Sequence, residues 1–509
     1  MPRFKDYNQG QTVLLPVSFD RQILPGTFEY TLNYLVDEKL DLSIFHHKYS
    51  NKETGRPAYN PALLLKIVVL AYSRGVTSSR RIEALCRENV LFMALSADTQ
   101  PHFTTIADFI SSSSEEIAKL FKQVLLICDE MGLIGKEMFA IDGCKLPSNA
   151  SKEWSGSKDN LKKKSQKIDR AVRYMLNKHR DEDYKGENDV SIRKREKQQI
   201  ETLLKASDKI DRFLQKKDAR LGRSGKEVQS NITDNDSAKM KTGHGVIQGY
   251  VGVAAVDSKH QVVVSAEAYG QGQEHGLLEP MVEQIEEAFN DDKQNPLQDG
   301  KILADSGFCN KATLEYLEEK NIDGYVADHG FRSRDPRFKT SGEHKPAMPR
   351  TPSEKSRFTG EDFQVDLDNK TCICPAGKDL WLKSAQAKIT SNIFMQFQGY
   401  KKDCDYCPLR GKCLRSINQK GARQVNVKIG SIAKTKSGPL ERMKQKIDST
   451  LGRHIYSMRL GIVEPVFGHI NDAIGIKRFS LRGKKKINGQ WQLMTMLHNM
   501  TKIHRFGTI

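Results

Sequence analysis

The chain has 509 residues, which is too long for one ordinary hydrophobic core, so we expect two or three packed units. Lysine and arginine number 81 against 63 aspartate and glutamate, a formal net charge of +18, and this excess favours a polyanionic partner such as nucleic acid. No stretch of apolar residues reaches membrane-spanning length, and the first residues lack the layout of a signal peptide. A soluble, cytoplasmic protein without a membrane partner is therefore expected.

Residues 1–135 have the pattern of a helical domain. Asn60 can cap a helix, Pro61 suits its first turn and Gly75 suits its end, so a helix is predicted from about 61 to 74. Its high apolar content indicates that most of it is buried.

Two more helices are expected in this domain. One is predicted over residues 80–95, and a capping box formed by Thr105 and Asp108 predicts the start of the other. Three short helices joined by tight turns favour a helix-turn-helix, with Arg80 and Arg81 as candidate DNA contacts. A helical bundle that only supports the rest of the chain is the alternative.

Residues 136–330 carry the strand signals of an α/β domain. A short apolar run ending at Asp142 predicts the first strand, and a hairpin, helices and further strands follow a densely charged insert at 155–230. The insert keeps a three-four apolar spacing and is predicted to be a helical hairpin. The order of one strand, a hairpin and then alternating helices and strands is that of a ribonuclease-H-like mixed sheet.

The last third of the chain divides again. Residues 331–439 are rich in Lys, Pro, Gly and Cys and are predicted to form an inserted lobe. Residues 440–509 are expected to complete the catalytic core, with a helix broken near Gly461 and Pro465, then a basic loop and a packed final helix.

Three acids are candidates for a two-metal phosphodiester chemistry. Asp142 lies at the predicted end of the first strand and Asp305 directly follows a later one, so neighbouring parallel strands would bring both to one edge of the sheet. Glu464, in a later helix, is the third candidate. Carboxylate oxygens are the ligands that Mg²⁺ or Mn²⁺ prefers, and clustered carboxylates need such a cation because they repel one another. Taken singly, each acid could equally be a turn, capping or exposed residue.

Five of the nine cysteines are crowded into about forty residues. Their spacing is consistent with a tetrahedral zinc site, with one thiol in surplus, and unligated thiols are the alternative. The candidate ligands are Cys372, Cys374, Cys404, Cys407 and Cys413.

As a whole, the pattern resembles bacterial DDE insertion-sequence transposases with an InsH-like helical N-terminal domain. The segments that carry the resemblance are GRPAYNPALLLKIVVLAYSRGVTSSRRIEALCREN, AIDGCKLPSNASK, NITDNDSAKM, ADSGFCN and YSMRLGIVEPVFGHIN. The spacing departs from the family in two places: one residue more than usual separates Arg459 from Glu464, and Asn471 stands where related elements often have lysine.

The resemblance implies a magnesium-dependent transposase that acts as a homodimer on the terminal inverted repeats of a mobile element and on target DNA in the bacterial nucleoid. It assigns the catalytic acids to Asp142, Asp305 and Glu464. Residues expected to contact DNA are Arg80, Arg81, Lys145, Tyr456, Arg459, Lys477, Arg478, Arg482, Lys484, Lys485 and Lys486. Two alternatives remain open, a catalytically inactive DNA-binding protein and a metal-dependent nuclease that cleaves without joining.

Overall fold

The computed structural model describes residues 17–49, 57–185, 190–222, 225–243, 245–289, 296–338, 358–389, 392–414, 419, 421–431 and 438–508. The chain forms two compact units, one comprising Met1–His329 with Met443–Ile509 and the other Gly330–Arg442. Within the described ranges, no helix is both long enough and apolar enough to cross a membrane.

The N-terminal part of the first unit is helical. Its α-helices are α1 (Phe28–Tyr34), α2 (Pro61–Ser73), α3 (Ser79–Glu88), α4 (Val90–Leu95), α5 (Phe103–Ser112) and α6 (Ser114–Glu130). The helix predicted from the Asn60 cap is confirmed, since α2 begins at Pro61 and the Asn60 side chain accepts a hydrogen bond from the Ala62 N–H. Most of α2 is buried, as its composition predicts.

The single helix predicted over 80–95 is wrong, because the chain breaks into α3 and α4. Asn89 separates them, and its side chain accepts hydrogen bonds from the N–H groups of Leu91 and Phe92. Asparagine is much better as an N-cap than inside a helix, so it starts a new helix here.

The capping box predicted at Thr105 and Asp108 is also wrong. Helix α5 begins two residues earlier, at Phe103, and the His102 ring accepts a hydrogen bond from the Thr104 N–H. The ring of His102 therefore caps this helix, and Thr105 lies within its first turn. The helix-turn-helix itself stays a prediction.

The central part of the first unit contains the main sheet. Its elements are β1 (Met138–Pro147), β2 (Ser155–Gly156), α7 (Lys158–Lys185), α8 (Val190–Lys216), β3 (Ser230–Asn231), β4 (Ala238–Thr242), β5 (Gly245–Asp257), β6 (Val263–Tyr269), α9 (Leu278–Ala288), β7 (Lys301–Ala304), α10 (Lys311–Glu319) and β8 (Asp323–Val326). The strands run in the order β4-β5-β1-β7-β8, and β6 also pairs with β5. The result is a mixed sheet with β1 near its centre, antiparallel to β5 and parallel to β7.

The first strand is longer than predicted. It does not end at Asp142 but continues to Pro147, because the antiparallel partner β5 pairs with it from Phe139 through Pro147. The parallel partner β7 pairs only as far as Ile141, which lies opposite Ala304. Asp142 is therefore the first residue of β1 beyond its parallel neighbour.

The helical hairpin predicted in the charged insert is confirmed. Helices α7 and α8 pack against each other through a polar contact, in which the Ser165 and Ser207 hydroxyls lie 2.8 Å apart. The Ser207 hydroxyl also donates to Asp169 and that of Ser165 to Asp211. Hydroxyl and carboxyl groups thus satisfy each other where the two helices meet.

The second unit is built on an antiparallel sheet in the order β13-β12-β11-β10-β9. Its elements are α11 (Phe331–Arg334), β9 (Gln364–Asp366), β10 (Thr371–Ile373), β11 (Asp379–Ile389), β12 (Asn392–Gly399), α12 (Lys401–Asp405), α13 (Arg410–Cys413) and β13 (Gln424–Ser431). A small core of buried residues covers one region of this sheet: Phe363, Cys372, Leu380, Met395, Phe397 and Val425.

The chain ends in α14 (Pro439–Asp448), α15 (Thr450–Gly468) and α16 (Lys484–Phe506). The break predicted near Gly461 and Pro465 is wrong, because α15 runs through both residues. Proline leaves the carbonyl four residues earlier without its helical donor. That carbonyl, on Gly461, accepts a hydrogen bond from the Gln261 side chain at 3.0 Å. A neighbouring loop thus replaces the missing N–H and keeps the helix continuous.

The packed final helix is confirmed. In α16 the Trp491 side chain is fully buried, and its indole N–H donates to the Val253 carbonyl at 2.9 Å. The basic loop predicted before this helix is shorter than expected, because Lys484, Lys485 and Lys486 form its first turn. Asp236 accepts a hydrogen bond from the Lys484 N–H there.

Candidate active site

Asp142 and Asp305 lie at the same level of neighbouring parallel strands. Asp142 follows Ile141, Asp305 follows Ala304, and these two preceding residues are paired across β1 and β7. Neighbouring strands are about 4.8 Å apart, so the two carboxylates share one edge of the sheet. Asp305 precedes a short helical turn, but its side chain does not cap that turn with a hydrogen bond. The carboxylate is therefore available to other groups.

The Arg459 guanidinium, on α15, connects these two aspartates. One terminal nitrogen donates to Asp142 Oδ2 at 2.6 Å and the other lies 3.5 Å from Asp305 Oδ1. Arg459 is only 5% exposed. Burial acts to lower the pKa of this guanidinium, but Asp142, Tyr456 and Asp305 outweigh it and the pKa is raised. Arg459 therefore stays charged and balances the acids.

Burial dominates the ionisation of Asp142. It raises the pKa of this carboxyl, while Arg459 and the Gly143 N–H act to lower it and Asp305 raises it further. The Gly143 N–H donates to Asp142 Oδ1 at 2.8 Å, which fixes the orientation of the carboxylate. Tyr456 completes this side of the site, with its ring centroid 5.9 Å from the Arg459 guanidinium.

Glu274 is an acid of the site that the sequence did not suggest. It lies in the loop between β6 and α9, and its two carboxylate oxygens rest against Gly143 and Gly307, where a β-carbon on either glycine would crowd them. Burial, followed by the negative charges of Asp142 and Asp305, raises the pKa of Glu274 to about 7. The only signal in the sequence is one acid within a glycine-rich loop, GQGQEHG.

Glu464 lies on the same helix as Arg459 but on another face. Five residues separate the two, which is a rotation of about 140° around an α-helix. The Glu464 side chain is exposed, and among the described residues it has no hydrogen bond or ion pair. The structure thus brings Asp142, Asp305 and Arg459 together and leaves Glu464 facing solvent.

The candidate DNA-contacting residues of the first unit are mostly exposed. Arg80 stacks over the Phe103 ring, and Arg81 lies 3.5 Å from Glu88. Five of the others are engaged locally: Lys484 with Glu267, Lys485 with Glu115, Lys477 with Asp472, Arg482 with the Asn149 carbonyl, and Lys145 with the Lys241 carbonyl. The exposed members are Arg80, Arg81, Lys145, Lys477, Arg478, Arg482, Lys484, Lys485 and Lys486.

The five crowded cysteines separate into two environments in the second unit. Cys372 is 1% exposed and belongs to the apolar core. The remaining four line one small cavity: Cys374, Cys404, Cys407 and Cys413. Across the described residues of both units, no three Asp, Glu, His or Cys side chains are already arranged as a group that could hold a metal ion.

Two family models match parts of the chain. Residues 373–504 match the model of a transposase DDE domain, and residues 17–112 match that of a transposase domain of the DUF772 type. No curated protein and no solved structure matches the chain. The two family matches, one towards each end, point to an insertion-sequence DDE transposase.

Proposed function

We propose that this protein binds the ends of a mobile DNA element and catalyses metal-dependent strand cleavage and strand transfer there, with Asp142, Asp305 and Glu464 as its catalytic acids. The observation that carries the proposal is the pair of aspartates that follow neighbouring parallel strands and share the Arg459 guanidinium. The strand order is compatible with a ribonuclease-H-like core, and the family matches support a transposase role.

The residues present fit hard divalent cations. Asp142 and Asp305 offer carboxylate oxygens, which Mg²⁺ prefers. The Arg459 guanidinium already lies between the two carboxylates and supplies one positive charge there. Bound by these acids, such ions would supply activation of the attacking oxygen and stabilisation of the leaving oxygen. Glu464 faces solvent from another face of α15, so it would complete the set only after α15 turns towards the aspartates.

The protein's own groups would orient the acids and the DNA. The Gly143 N–H fixes one oxygen of Asp142, and its other oxygen faces Arg459. With a cation sharing the carboxylates, the guanidinium of Arg459 would be available to a scissile phosphate, which it can bind in a bidentate manner. Tyr456, beside Arg459, would contact the backbone next to it.

The basic side chains of the first unit would hold the duplex. Lys145 lies three residues after Asp142 on β1, and Lys477 and Arg478 lie in the segment between α15 and α16. All three are exposed and can therefore reach the phosphates of a bound duplex. Pairing of two element ends by a homodimer is part of the proposal.

The decisive experiment is a nicking assay on DNA carrying the inverted repeats of the element. Asp142→Asn and Asp305→Asn should each lower Mg²⁺-dependent cleavage at least a thousandfold while DNA binding persists, because asparagine keeps the shape but loses the charge that holds a cation. The control is Asp208→Asn on α8, a similarly acidic but exposed position. Full cleavage by either site variant would refute the proposed chemistry.

The same assay separates the alternatives. A catalytically inactive DNA-binding protein would bind the ends without Mg²⁺-dependent nicks. A nuclease without strand transfer would give nicks but no joined products when a target plasmid is supplied. Joined products that disappear in Asp305→Asn are the result that we expect.

A further inference from the structure

Four thiols from two separate segments of the second unit surround one cavity of about 40 Å³. Cys374 follows β10, Cys404 lies in α12, Cys407 follows that helix and Cys413 ends α13. We propose that these four cysteines bind one structural zinc ion and that Cys372 takes no part. This inference is independent of the catalytic acids.

The Cys374 segment has a tight turn that directs backbone groups towards the sulfur. The Cys374 N–H donates to the Lys378 carbonyl at 2.9 Å, and the Gly377 N–H donates back to the Cys374 carbonyl at 2.8 Å. Gly377 has a positive φ of 72°, which only glycine adopts readily. The turn brings the Lys378 N–H to 3.4 Å from Cys374 Sγ. A backbone donor held at this sulfur orients it, as hydrogen bonds to metal ligands do.

The other three thiols lie on a segment that has little regular structure of its own. Helix α12 has five residues and α13 has four, far too few to be stable in isolation. The Cys404 sulfur packs against the end of β12, only 3.0 Å from where a β-carbon on Gly399 would lie. A metal ion that joins Cys404, Cys407 and Cys413 to the Cys374 turn would give this segment the cross-link that its short helices lack.

Two arginines supply positive charge next to the thiols. Arg410 donates to the Cys404 carbonyl at 2.7 Å, and Arg423 donates to the Cys413 carbonyl at 3.1 Å. The four cysteines line the same small cavity, and four thiolates held there would repel one another. A divalent ion with a preference for sulfur removes that repulsion, and a set of four cysteines is typical of structural zinc.

Cys372 differs in its surroundings. Its side chain is buried among the apolar residues of the sheet core, and it does not line the cavity. Its surroundings therefore identify Cys372 as the cysteine that does not bind zinc.

Binding requires a small rearrangement. Within the described residues no three thiols already form a coordination group, so the sulfurs must turn in towards a common centre. Rotation between staggered χ1 positions moves a cysteine sulfur without moving the backbone, and the cavity provides room for it.

The test is the zinc content of the purified full-length protein, measured by inductively coupled plasma mass spectrometry. We expect one zinc per chain in the unchanged protein and in Cys372→Ala, and at least a fivefold loss in Cys407→Ala and Cys413→Ala. Asp142→Asn should keep its zinc, so a failure of the proposed catalysis cannot imitate a failure of this site. Absence of zinc from the unchanged protein, or its loss from Cys372→Ala, would overturn the proposal.

A second measurement guards against variants that do not fold. Titration of the unchanged protein with a mercurial reagent should release its zinc as four thiols react, and replacement by Co²⁺ should give the absorption spectrum of a tetrahedral four-thiolate site. Release with fewer than three thiols, an octahedral cobalt spectrum, or a disulfide between any two of the four cysteines would each contradict the proposal.

Discussion

The buried guanidinium of Arg459 is the feature on which the electrostatics of the site depend. Asp142 and Asp305 both face it, and Glu274 adds a third acid next to them. Burial raises the pKa of Glu274 to about 7, and the negative charges of Asp142 and Asp305, which a single guanidinium does not fully balance, add to the effect. Divalent cations would relieve this excess more completely than arginine does.

The roles of Glu464 and Glu274 can be separated by matched substitutions. We expect Glu464→Gln to lower Mg²⁺-dependent cleavage at least a thousandfold, because a metal ligand is lost. Glu274→Gln should weaken Mg²⁺ affinity by about ten to a hundredfold, as expected for a side chain that orients the metal ligands without binding the metal itself. The measurements are cleavage rate and its dependence on Mg²⁺ concentration. Normal cleavage in Glu464→Gln together with none in Glu274→Gln would instead make Glu274 the third acid.

Sequence reasoning reaches the two aspartates but not Glu274, for a physical reason. Asp142 and Asp305 each follow an apolar strand, and parallel strands bring the residues that follow them to the same edge. Glu274 lies in a loop and contacts Gly143 and Gly307, which are distant in sequence. The periodicity of apolar residues carries no information on such tertiary contacts. Only a loop that is unusually rich in glycine hints that its backbone approaches another segment closely.

At the scale of elements, α15 depends on a side chain outside it. Pro465 removes the donor for the Gly461 carbonyl, and Gln261 in the β5–β6 loop supplies another. The break predicted at this proline could not be excluded from the sequence, because the compensating glutamine lies 200 residues away. Asn89 is the opposite case. Its local preference for the N-cap position was sufficient to divide a helix that was predicted as continuous.

A double-mutant cycle tests this replacement. Gln261→Ala should destabilise α15 by about 1 kcal/mol more in the unchanged protein than in a Pro465→Ala background, where residue 465 regains an N–H for Gly461. Amide hydrogen exchange of peptides that cover α15 measures the difference. Any effect of alanine on the loop itself, including the lost contact with Lys502, is common to both backgrounds and cancels. Equal losses in the two backgrounds would show that Gln261 does not support the helix.

Buried His498, which lies against the half-buried His469, makes the contact between α16 and its neighbours sensitive to acid. The ring nitrogens of His498 lie 2.9 Å from the Gln261 carbonyl and from the His469 ring. Burial lowers the pKa of His498 to about 3, and the nearby charges of Lys502 and Arg505 lower it too. The folded protein therefore binds fewer protons than the unfolded chain, whose histidine pKa is about 6.5.

The sign of the pH effect follows. Stability from the neutral His498 is fully present above about pH 6.5 and is lost progressively as pH falls towards 3. The free energy of unfolding should fall by about 2 kcal/mol between pH 7.5 and pH 5 from this residue alone. His498→Gln should flatten that dependence in urea unfolding, whereas His454→Gln, at an exposed position on α15, should not. An unchanged slope in His498→Gln would refute the assignment.

At the scale of the whole molecule, composition favours a kind of partner but carries no information on the arrangement of the chain. An excess of eighteen positive charges indicates a polyanion, whichever fold carries it. That the first unit resumes after Gly330–Arg442, with Arg459 of α15 placed beside Asp142 and Asp305, depends on long-range packing. The order of strands and helices predicted the sheet, because each strand and the helix after it are neighbours in sequence. The position of α15 against this sheet could not be predicted in that way, because α15 is distant from the strands in sequence.

The distribution of positive charge gives the last prediction. Lys477 and Arg478 are exposed and lie in the segment that follows the helix carrying Arg459. If both contact phosphates, Lys477→Gln with Arg478→Gln should reduce the slope of log affinity against log salt by about 1.8, since each contact contributes about 0.9 on duplex DNA. The measurement is fluorescence anisotropy with end DNA over a range of salt concentrations.

The matched control replaces one lysine and one arginine of the helical insert, Lys205→Gln with Arg212→Gln. Their side chains are 81% and 70% exposed, so the pair has the same charge and comparable exposure. Because net charge changes equally in both double variants, a general electrostatic effect would flatten the two slopes alike, and that result would contradict a specific contact. A flatter slope only for the pair beside α15 would assign the phosphate contacts to the segment that leads from Arg459 into the final helix.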